Sequence, residues 1–227
     1  MIVAIDGPVG VGKSTVADAV ARRLGLLHID TGAMYRALAW KCLEEDLDPG
    51  DEKALSELAR RTQIHLEPSP GGPRVFCDGL EVTDLIRTPE INALVSKVSA
   101  WPGLRQVVVE YQRLLGRQGS VIMEGRDIGT VVFPQADVKL YLNADLETRV
   151  ARRAAEDESR GLPWSKDEIR QSILERDEAD SHREASPLRI AEDAIELDTS
   201  NLPFDEVVDK VVKVIRSRIC ERKDSPA

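Results

Sequence analysis

The chain has little of what marks a secreted, membrane-spanning or metal-clustered protein. Its 227 residues include three cysteines, Cys42, Cys77 and Cys220, scattered and without CxxC spacing, which argues against a disulfide framework or a thiolate metal site. His28, His65 and His182 are equally dispersed and are given no catalytic role. No apolar run approaches the ~20 residues that span a bilayer, and nothing resembling a signal peptide precedes the hydrophobic segment that starts at Ile2. The expectation is a cytoplasmic protein without a membrane partner. Positive charge is also short, with 31 basic residues against 40 acidic ones and a net charge of −9, which disfavours tracking along a nucleic-acid backbone. Internal repeats and low-complexity linkers are absent. The remaining composition, 42% hydrophobic and 31% charged, suits a globular chain with one sizeable core and a small inserted lobe.

Against these absences stands one complete motif. Gly7-Pro8-Val9-Gly10-Val11-Gly12-Lys13-Ser14 follows the apolar run Ile2-Val3-Ala4-Ile5-Asp6 and opens a helical pattern at Thr15. This is a phosphate-binding P-loop in its strand–loop–helix setting. Glycines allow successive backbone N–H groups to turn inward around phosphate oxygens, and the following helix points its positive end there. Lys13 adds a mobile cation and the Ser14 hydroxyl suits Mg²⁺. The chain is expected to bind a nucleoside triphosphate.

The rest of the pattern alternates strand and helix. Ile2–Asp6, Leu26–Asp30, Val121–Glu124, Val138–Leu142 and Ala194–Asp198 read as buried parallel strands. Helical periods separate them: Lys13–Arg23 stops near Gly25, a helix capped by Thr31 carries Met34, Leu38 and Cys42, and Leu104, Val108, Tyr111 and Leu115 mark another. The expected fold is α/β, a P-loop NTPase-type three-layer fold with a five-stranded parallel sheet. Gln63–Glu67, Arg74–Cys77 and Leu80–Thr83 break the rhythm and read as a small antiparallel meander, after which Thr88 caps a helix with Pro89 in its first turn. The loop Ser159–Trp164 reads as a lid, followed by a capping box at Ser165 and Glu168. A last packing helix from Pro203 to Arg218 turns Val207, Val211, Val214 and Ile215 inward, and a frayed tail is expected beyond Cys220. The domain reading is one unit, 1–227, with a core at about 1–60, 104–155 and 185–220, an insert at about 61–103 and a lid at about 156–165.

Strand ends in such folds line the ligand crevice. Asp30 and Arg36 fall there, as do Arg126 and Asp127 within Gly125-Arg126-Asp127-Ile128-Gly129-Thr130. A guanidinium gives phosphate two parallel charge-assisted bonds and keeps its proton near neutrality. Arg176, Asp180 and Arg183 share one face at i, i+4 and i+7, and Arg149, Arg152 and Arg153 precede the lid on its other side. Three arginine groups converging on one crevice point to a second phosphate-bearing substrate.

The order of P-loop, Asp30-Thr31-Gly32-Ala33-Met34-Tyr35-Arg36, Gly125 to Pro134 and Arg176 to Arg183 resembles the bacterial cytidylate kinases, from Ile2 to about Arg216. The resemblance implies that ATP phosphorylates CMP and dCMP with Mg²⁺, that the insert is a monophosphate-binding lobe, and that the chain works as a monomer with nucleotides as its only partners. It implies Lys13, Arg126 and Arg176 as catalytic residues and Ser14 as the metal ligand. It places ATP against Gly7 through Thr15 with Arg152 and Arg153, and the acceptor against Asp30, Thr31, Arg36, Ser96, Arg105, Arg126, Asp127, Asp180 and Arg183. The rivals are a uridylate or adenylate kinase, and a nucleotide-gated switch; no guanine-reading NKxD sequence supports the latter.

If Lys13 serves the transferring phosphoryl group, Lys13→Met is expected to abolish transfer in a coupled ADP-release assay, and turnover at the wild-type rate would contradict the P-loop assignment.

Overall fold

The computed structural model describes residues 1–70, 72–159, 161 and 164–224, with side chains up to residue 219. The central sheet grows from short apolar strands in which neighbouring residues face opposite sides. In β1 (Ile2–Asp6), Val3 and Ile5 face one layer and Ala4 the other, and all three are fully buried. The further strands are β2 (Leu27–Asp30), β6 (Val121–Gly125), β7 (Val138–Asn143) and β8 (Ile195–Asp198). They form a five-stranded sheet in the order β2-β6-β1-β7-β8, with every neighbouring pair parallel. Each strand lies within a residue or so of its expected bounds, and in β1, β2, β6 and β7 burial of most residues makes the apolar run itself the strand. The expectation of burial on both faces fails for the edge strand β8, in which Glu196 and Asp198 are exposed between half-buried Ile195 and Leu197.

One face of the sheet packs against α1 (Lys13–Leu24) and α8 (Phe204–Asp224) through Val16, Val20, Val207, Val211 and Ile215. Gly25 ends α1 in the left-handed conformation at φ 66°, and its N–H reaches the Ala21 carbonyl. The last helix runs on to Asp224 rather than stopping near Arg218, so its backbone continues past Cys220, where fraying was expected. On the other face, Ile29 and Met123 meet Val109 of α5 (Pro102–Gly116), together with Ile128 and Val132. These last two belong to a π-helical turn, Ile128–Val132, that the sequence pattern does not announce.

The inserted meander is present as β3 (Ile64–Glu67), β4 (Arg74–Cys77) and β5 (Leu80–Glu81), an antiparallel sheet. A 3₁₀ turn, Leu85–Arg87, and α4 (Pro89–Val98) follow it. Thr88 caps α4 by accepting from the Ile91 N–H, with Pro89 at its start. This region shares one hydrophobic cluster with α2 (Thr31–Glu44), α3 (Glu52–Arg61) and α5, in which Leu38, Leu58, Val75, Ile86, Val98 and Leu104 are essentially fully buried. The lobe is thus packed on α2 and is continuous with the structure beneath it. On α2, Asp30 is the cap, its carboxylate accepting from the Ala33 N–H at 2.8 Å. Thr31 is already inside the helix and donates to the Glu124 carbonyl at 2.6 Å, which corrects its assignment as the cap.

The helices on either side of the expected lid loop are α6 (Leu146–Ser159) and α7 (Lys166–His182), packed through Val150, Ile169 and Ile173. The expected capping box of Ser165 and Glu168 is formed. Of the expected lid loop, Arg160, Leu162 and Pro163 lie outside the described residues. Among the described residues no helix is long and apolar enough to cross a membrane.

The turn from β1 into the phosphate loop leaves no room for a side chain at Gly7. A Cβ there would sit 2.2 Å from the Leu142 carbonyl oxygen of β7, at φ +151°. At Gly25 a Cβ meets nothing within 4 Å and only the left-handed φ opposes it. Gly7→Ala is therefore expected to lose about 2–4 kcal/mol of stability and Gly25→Ala about 1–2 kcal/mol, measured as a lower urea midpoint at unchanged slope.

Candidate active site

The phosphate loop is held from three directions. Asp6, at the end of β1, accepts from the Ile128 and Gly129 N–H groups at 2.8 and 2.7 Å, which ties the P-loop strand to the π turn. Burial raises the Asp6 pKa to about 6, although both backbone bonds pull the other way. Asp177 of α7 accepts from the Val9 N–H at 3.2 Å and is paired with Arg149, which also donates to the Val9 carbonyl. Arg152 donates to the Val11 carbonyl at 3.0 Å and the Thr199 carbonyl at 2.7 Å. Arg152 therefore braces the loop from outside the crevice, whereas Arg153 lines the crevice beside Glu156.

The crevice itself carries Gly10, Gly12, Lys13, Ser14 and Thr15 on one side and Arg36, Arg87, Arg126, Arg153 and Arg176 around the other. Gly7 and Val11 turn away from it, the first against Leu142 and the second into the core. Lys13 is buried and donates to the Pro8 carbonyl at 2.7 Å. Burial first, then the charge of Arg126, lowers its pKa to about 7. The same two causes bring Arg176 down to about 9, and no hydrogen bond closes on its Nε. The Arg36 Nε is likewise without a partner, while its Nη2 donates to Asp30 at 3.0 Å. Burial would raise the Asp30 pKa, but Arg36 and Arg87 outweigh it and hold the carboxyl below its usual value. Buried cations pressed together and short of partners form a site that lacks anions.

A second, deeper pocket opens off the crevice. It is lined by Thr31, Tyr35, Ser99, Arg105, Asp127 and Arg183, with Val95 and Asp180 beside them. Gly32, Gly125, Arg126 and Arg176 line both spaces. Asp127 accepts from Arg105 Nη2 at 2.6 Å and lies 3.6 Å from Arg183 Nη2. Arg105 Nη1 also donates to the Ser99 carbonyl, and its guanidinium stands 5.0 Å over the Tyr35 ring. Asp180 accepts from Arg126 Nε at 2.7 Å and lies 3.6 Å from Arg183 Nη1. Burial acts to raise the Asp180 pKa, and Arg126, Arg176 and Arg183 overcome it.

The structure thus gathers Lys13, Asp30, Thr31, Arg36, Arg105, Arg126, Asp127, Arg176, Asp180 and Arg183 around two joined spaces. Arg183 reaches them from just past the end of α7, as its C-cap, and not from the helix face implied by the i+7 spacing. Ser96 is half-buried on α4 and outside both linings, and Ser99 stands at the pocket instead. Sequence reasoning passed over Arg87 and Tyr35 as site residues, and set Glu124 at the crevice, where the structure has it, without a role. Tyr35 was visible inside a quoted motif, whereas Arg87 carries no local signal. Glu124 is buried with Oε1 unpartnered, and lies 3.5 Å from a His28 whose ring nitrogens make no hydrogen bond. Burial opposes a charge on His28, yet Glu124 lifts its pKa above the usual value.

A family model for cytidylate kinase matches residues 3–217. A cytidylate kinase of Geobacillus sp. (strain WCH70) is 47% identical over 217 residues, covering 96% of this chain and 97% of that relative. A cytidylate kinase of Bacillus subtilis (strain 168) is 45% identical over 216 residues, covering 95% of this chain and 96% of that one. Among solved structures, an uncharacterized protein from Eubacterium ventriosum shares the fold at TM-score 0.52 and 12% identity, over 96% of this chain and 98% of that one.

Because Lys13 is held near pKa 7 by burial and by like charge, a polyanion in the crevice must raise that value and draw a proton onto the amine. Titration with inorganic tripolyphosphate is expected to take up as much as about one proton more at pH 8 in the wild type than in Lys13→Met, in which the ligand's own proton release is the same, and the difference should decline towards zero below about pH 6. Calorimetry in buffers of different ionisation enthalpy reads both values, and equal proton exchange in the two proteins at pH 8 would contradict it.

Proposed function

The chain belongs to the cytidylate kinase family, and we propose that it transfers the γ-phosphoryl group of ATP to CMP or dCMP, yielding ADP and CDP or dCDP. The observation that carries this reading is the sharing of Arg126 and Arg176 by the phosphate crevice and the deeper pocket. Two cations at the junction of two anion-seeking spaces sit where donor and acceptor phosphates must meet.

In this reading the P-loop backbone from Gly10 to Thr15 and Lys13 hold the triphosphate. Arg36 and Arg87 take the acceptor phosphate beside Arg126, and Asp30 holds both arginines in place. The phosphate's second pKa is near 6, so the attacking oxygen is mostly ionised at neutral pH and no protein base is needed. Lys13, Arg126 and Arg176 neutralise the charge that spreads over the transferring group, in a cleft where burial magnifies their effect. Arg153 adds positive charge from the lid side. Arg152 serves by keeping the loop in shape, through its bonds to the Val11 carbonyl and to the carbonyl and hydroxyl of Thr199.

The residues present fit magnesium. The exposed Ser14 hydroxyl and the Glu124 carboxylate, whose Oε1 makes no hydrogen bond and faces His28 Nε2 at 3.5 Å, supply hard oxygen donors to the same crevice. Among the described residues no cluster of three or more His, Cys, Asp or Glu forms a protein-only cage, which is the usual case for a metal shared with substrate phosphates. When bound there, the ion neutralises phosphate charge and aligns the donor.

The base is read in the deeper pocket. Arg105 occupies Asp127 Oδ2, which leaves Oδ1, with only the longer contact to Arg183, to accept from the exocyclic amine of cytosine. Uracil presents an oxygen at that position and is repelled. Every group used comes from one chain, and the acidic body with its enclosed pocket suits a free mononucleotide in preference to a nucleic-acid strand.

Asp127→Ala would strand the buried Arg105, so Asp127→Asn, which keeps an oxygen for that arginine, is the cleaner probe. Its ratio of kcat/KM for CMP over UMP is expected to fall by about one to two orders of magnitude with KM for ATP unchanged. Initial ADP-release rates across CMP, dCMP, UMP and AMP check this, and an unaltered ratio would remove Asp127 from base selection.

A further inference from the structure

Phe204, the first residue of α8, brings an aromatic ring into the charged crevice. It lines that space together with Gly12, Ser14 and Thr15 of the phosphate loop and is 46% exposed. Its neighbours on the same helical stripe, Val207, Val208 and Val211, are buried in one cluster with Val11 and Val16. The stripe therefore leaves the core at Phe204, beside the loop expected to hold a triphosphate.

The order of the sheet decides which side of the loop this is. The P-loop leaves the central strand β1; Thr31, Tyr35 and Asp127 of the deeper pocket follow β2 and β6 on one side, whereas Phe204 follows β8, two strands away on the other. Phe204 lines the crevice and not the deeper pocket. In phosphoryl transfer the leaving and attacking oxygens stand roughly in line across the moving phosphorus. A donor whose phosphates lie on the P-loop must then carry its nucleoside away from the deeper pocket, towards β7 and β8.

The segment that carries Phe204 is also fixed to the phosphate loop. The Thr199 N–H and hydroxyl donate to the Asn143 carbonyl at 2.8 and 3.0 Å, and Arg152 joins the carbonyl and hydroxyl of Thr199 to the Val11 carbonyl. Leu202 packs against the cluster that holds Val11 and Val207. A phosphate gains nothing from an apolar ring, and exposed Asp205 and Glu206 directly after it disfavour a further anion. A planar, uncharged heterocycle gains from the ring's face.

We infer that Phe204 is the docking surface for the nucleobase of the triphosphate donor, which stacks on the ring while the P-loop holds its phosphates. The inference rests on the triphosphate reading above and adds a contact that lies outside the P-loop. Recognition through a ring face makes the contribution of the base separable from that of the phosphates.

The experiment is calorimetric titration of wild type, Phe204→Ala and Phe204→Tyr with ATP and with inorganic tripolyphosphate, both in excess Mg²⁺, together with thermal denaturation. Phe204→Ala is expected to raise the Kd for ATP about five- to thirtyfold, the worth of one base stacked on an aromatic ring. Tripolyphosphate, which has no base, should bind within about twofold of wild type, and the melting temperature should stay within about 2 °C because the ring lies outside the core. Phe204→Tyr keeps the aromatic face and should hold the Kd for ATP within about twofold. Equal weakening of both ligands in Phe204→Ala would mean a distorted loop, and an unchanged ATP affinity would mean an idle ring; either overturns the inference, as does a tyrosine variant as weak as the alanine one. Should Phe204→Ala fail to fold, Phe204→Leu replaces it, with a loss of about threefold or more expected on ATP alone. A wild type that binds neither ligand would strike the triphosphate reading itself, whereas one that binds both with equal affinity overturns this inference only.

Discussion

The site depends on an alternating run of buried charges: Arg105, Asp127, Arg183, Asp180 and Arg126, linked by contacts of 2.6, 3.6, 3.6 and 2.7 Å. It begins on α5, passes the residues after β6 and reaches α7, so one electrostatic chain joins the core to the helix behind the lid. Each member is tolerable in the interior because opposite charge flanks it, and loss of one partner strands the next at about 3–5 kcal/mol. The geometry of the pocket around Asp127 and the position of α7 are therefore not independent. Any group that engages Asp127 acts on the same network that holds Arg126 where the two spaces join.

Around that run the protein leaves its cations deliberately short of partners. Lys13 near pKa 7 and Arg176 near 9 both report burial compounded by neighbouring positive charge. Such an arrangement costs stability in the free protein and returns it when phosphates enter, which is the preorganisation expected where catalysis consists mainly of stabilising spread negative charge. The backbone that carries Lys13 is correspondingly rigid. Asp6 locks the strand end to the π turn, Gly7 lies against Leu142, and Asp177 with Arg149 holds the loop at Val9. Arg152 belongs to the same scaffold, since it ties the Val11 carbonyl to the carbonyl and hydroxyl of Thr199.

Much of this was legible in the chain because it is local. Four of the five strands are largely buried apolar runs and the edge strand β8 is an alternating one, the P-loop needs its glycines at fixed spacing, and the caps at Thr88 and Ser165 are written in adjacent residues. The exceptions have physical causes. Asp30 displaced Thr31 as cap because its carboxylate reaches the Ala33 N–H while the threonine hydroxyl is drawn across to β6. Ser96 and Ser99 lie less than one helical turn apart, and only docking of α4 decided that the second lines the pocket. Arg87 sits in a stretch without a motif, and its place at the crevice comes from neighbours distant in sequence.

The amino-acid order alone therefore determined the fold class, the triphosphate-binding loop and the set of arginines available for a second phosphate, since each follows from periodicity or from contiguous backbone chemistry. Tertiary structure decided which arginines face the crevice and which brace it, which oxygen of Asp127 is taken by Arg105, and which polar groups are buried without partners. Those properties depend on packing between α5, α7 and the end of β6, and side-chain pairing across such distances has no signature in local sequence.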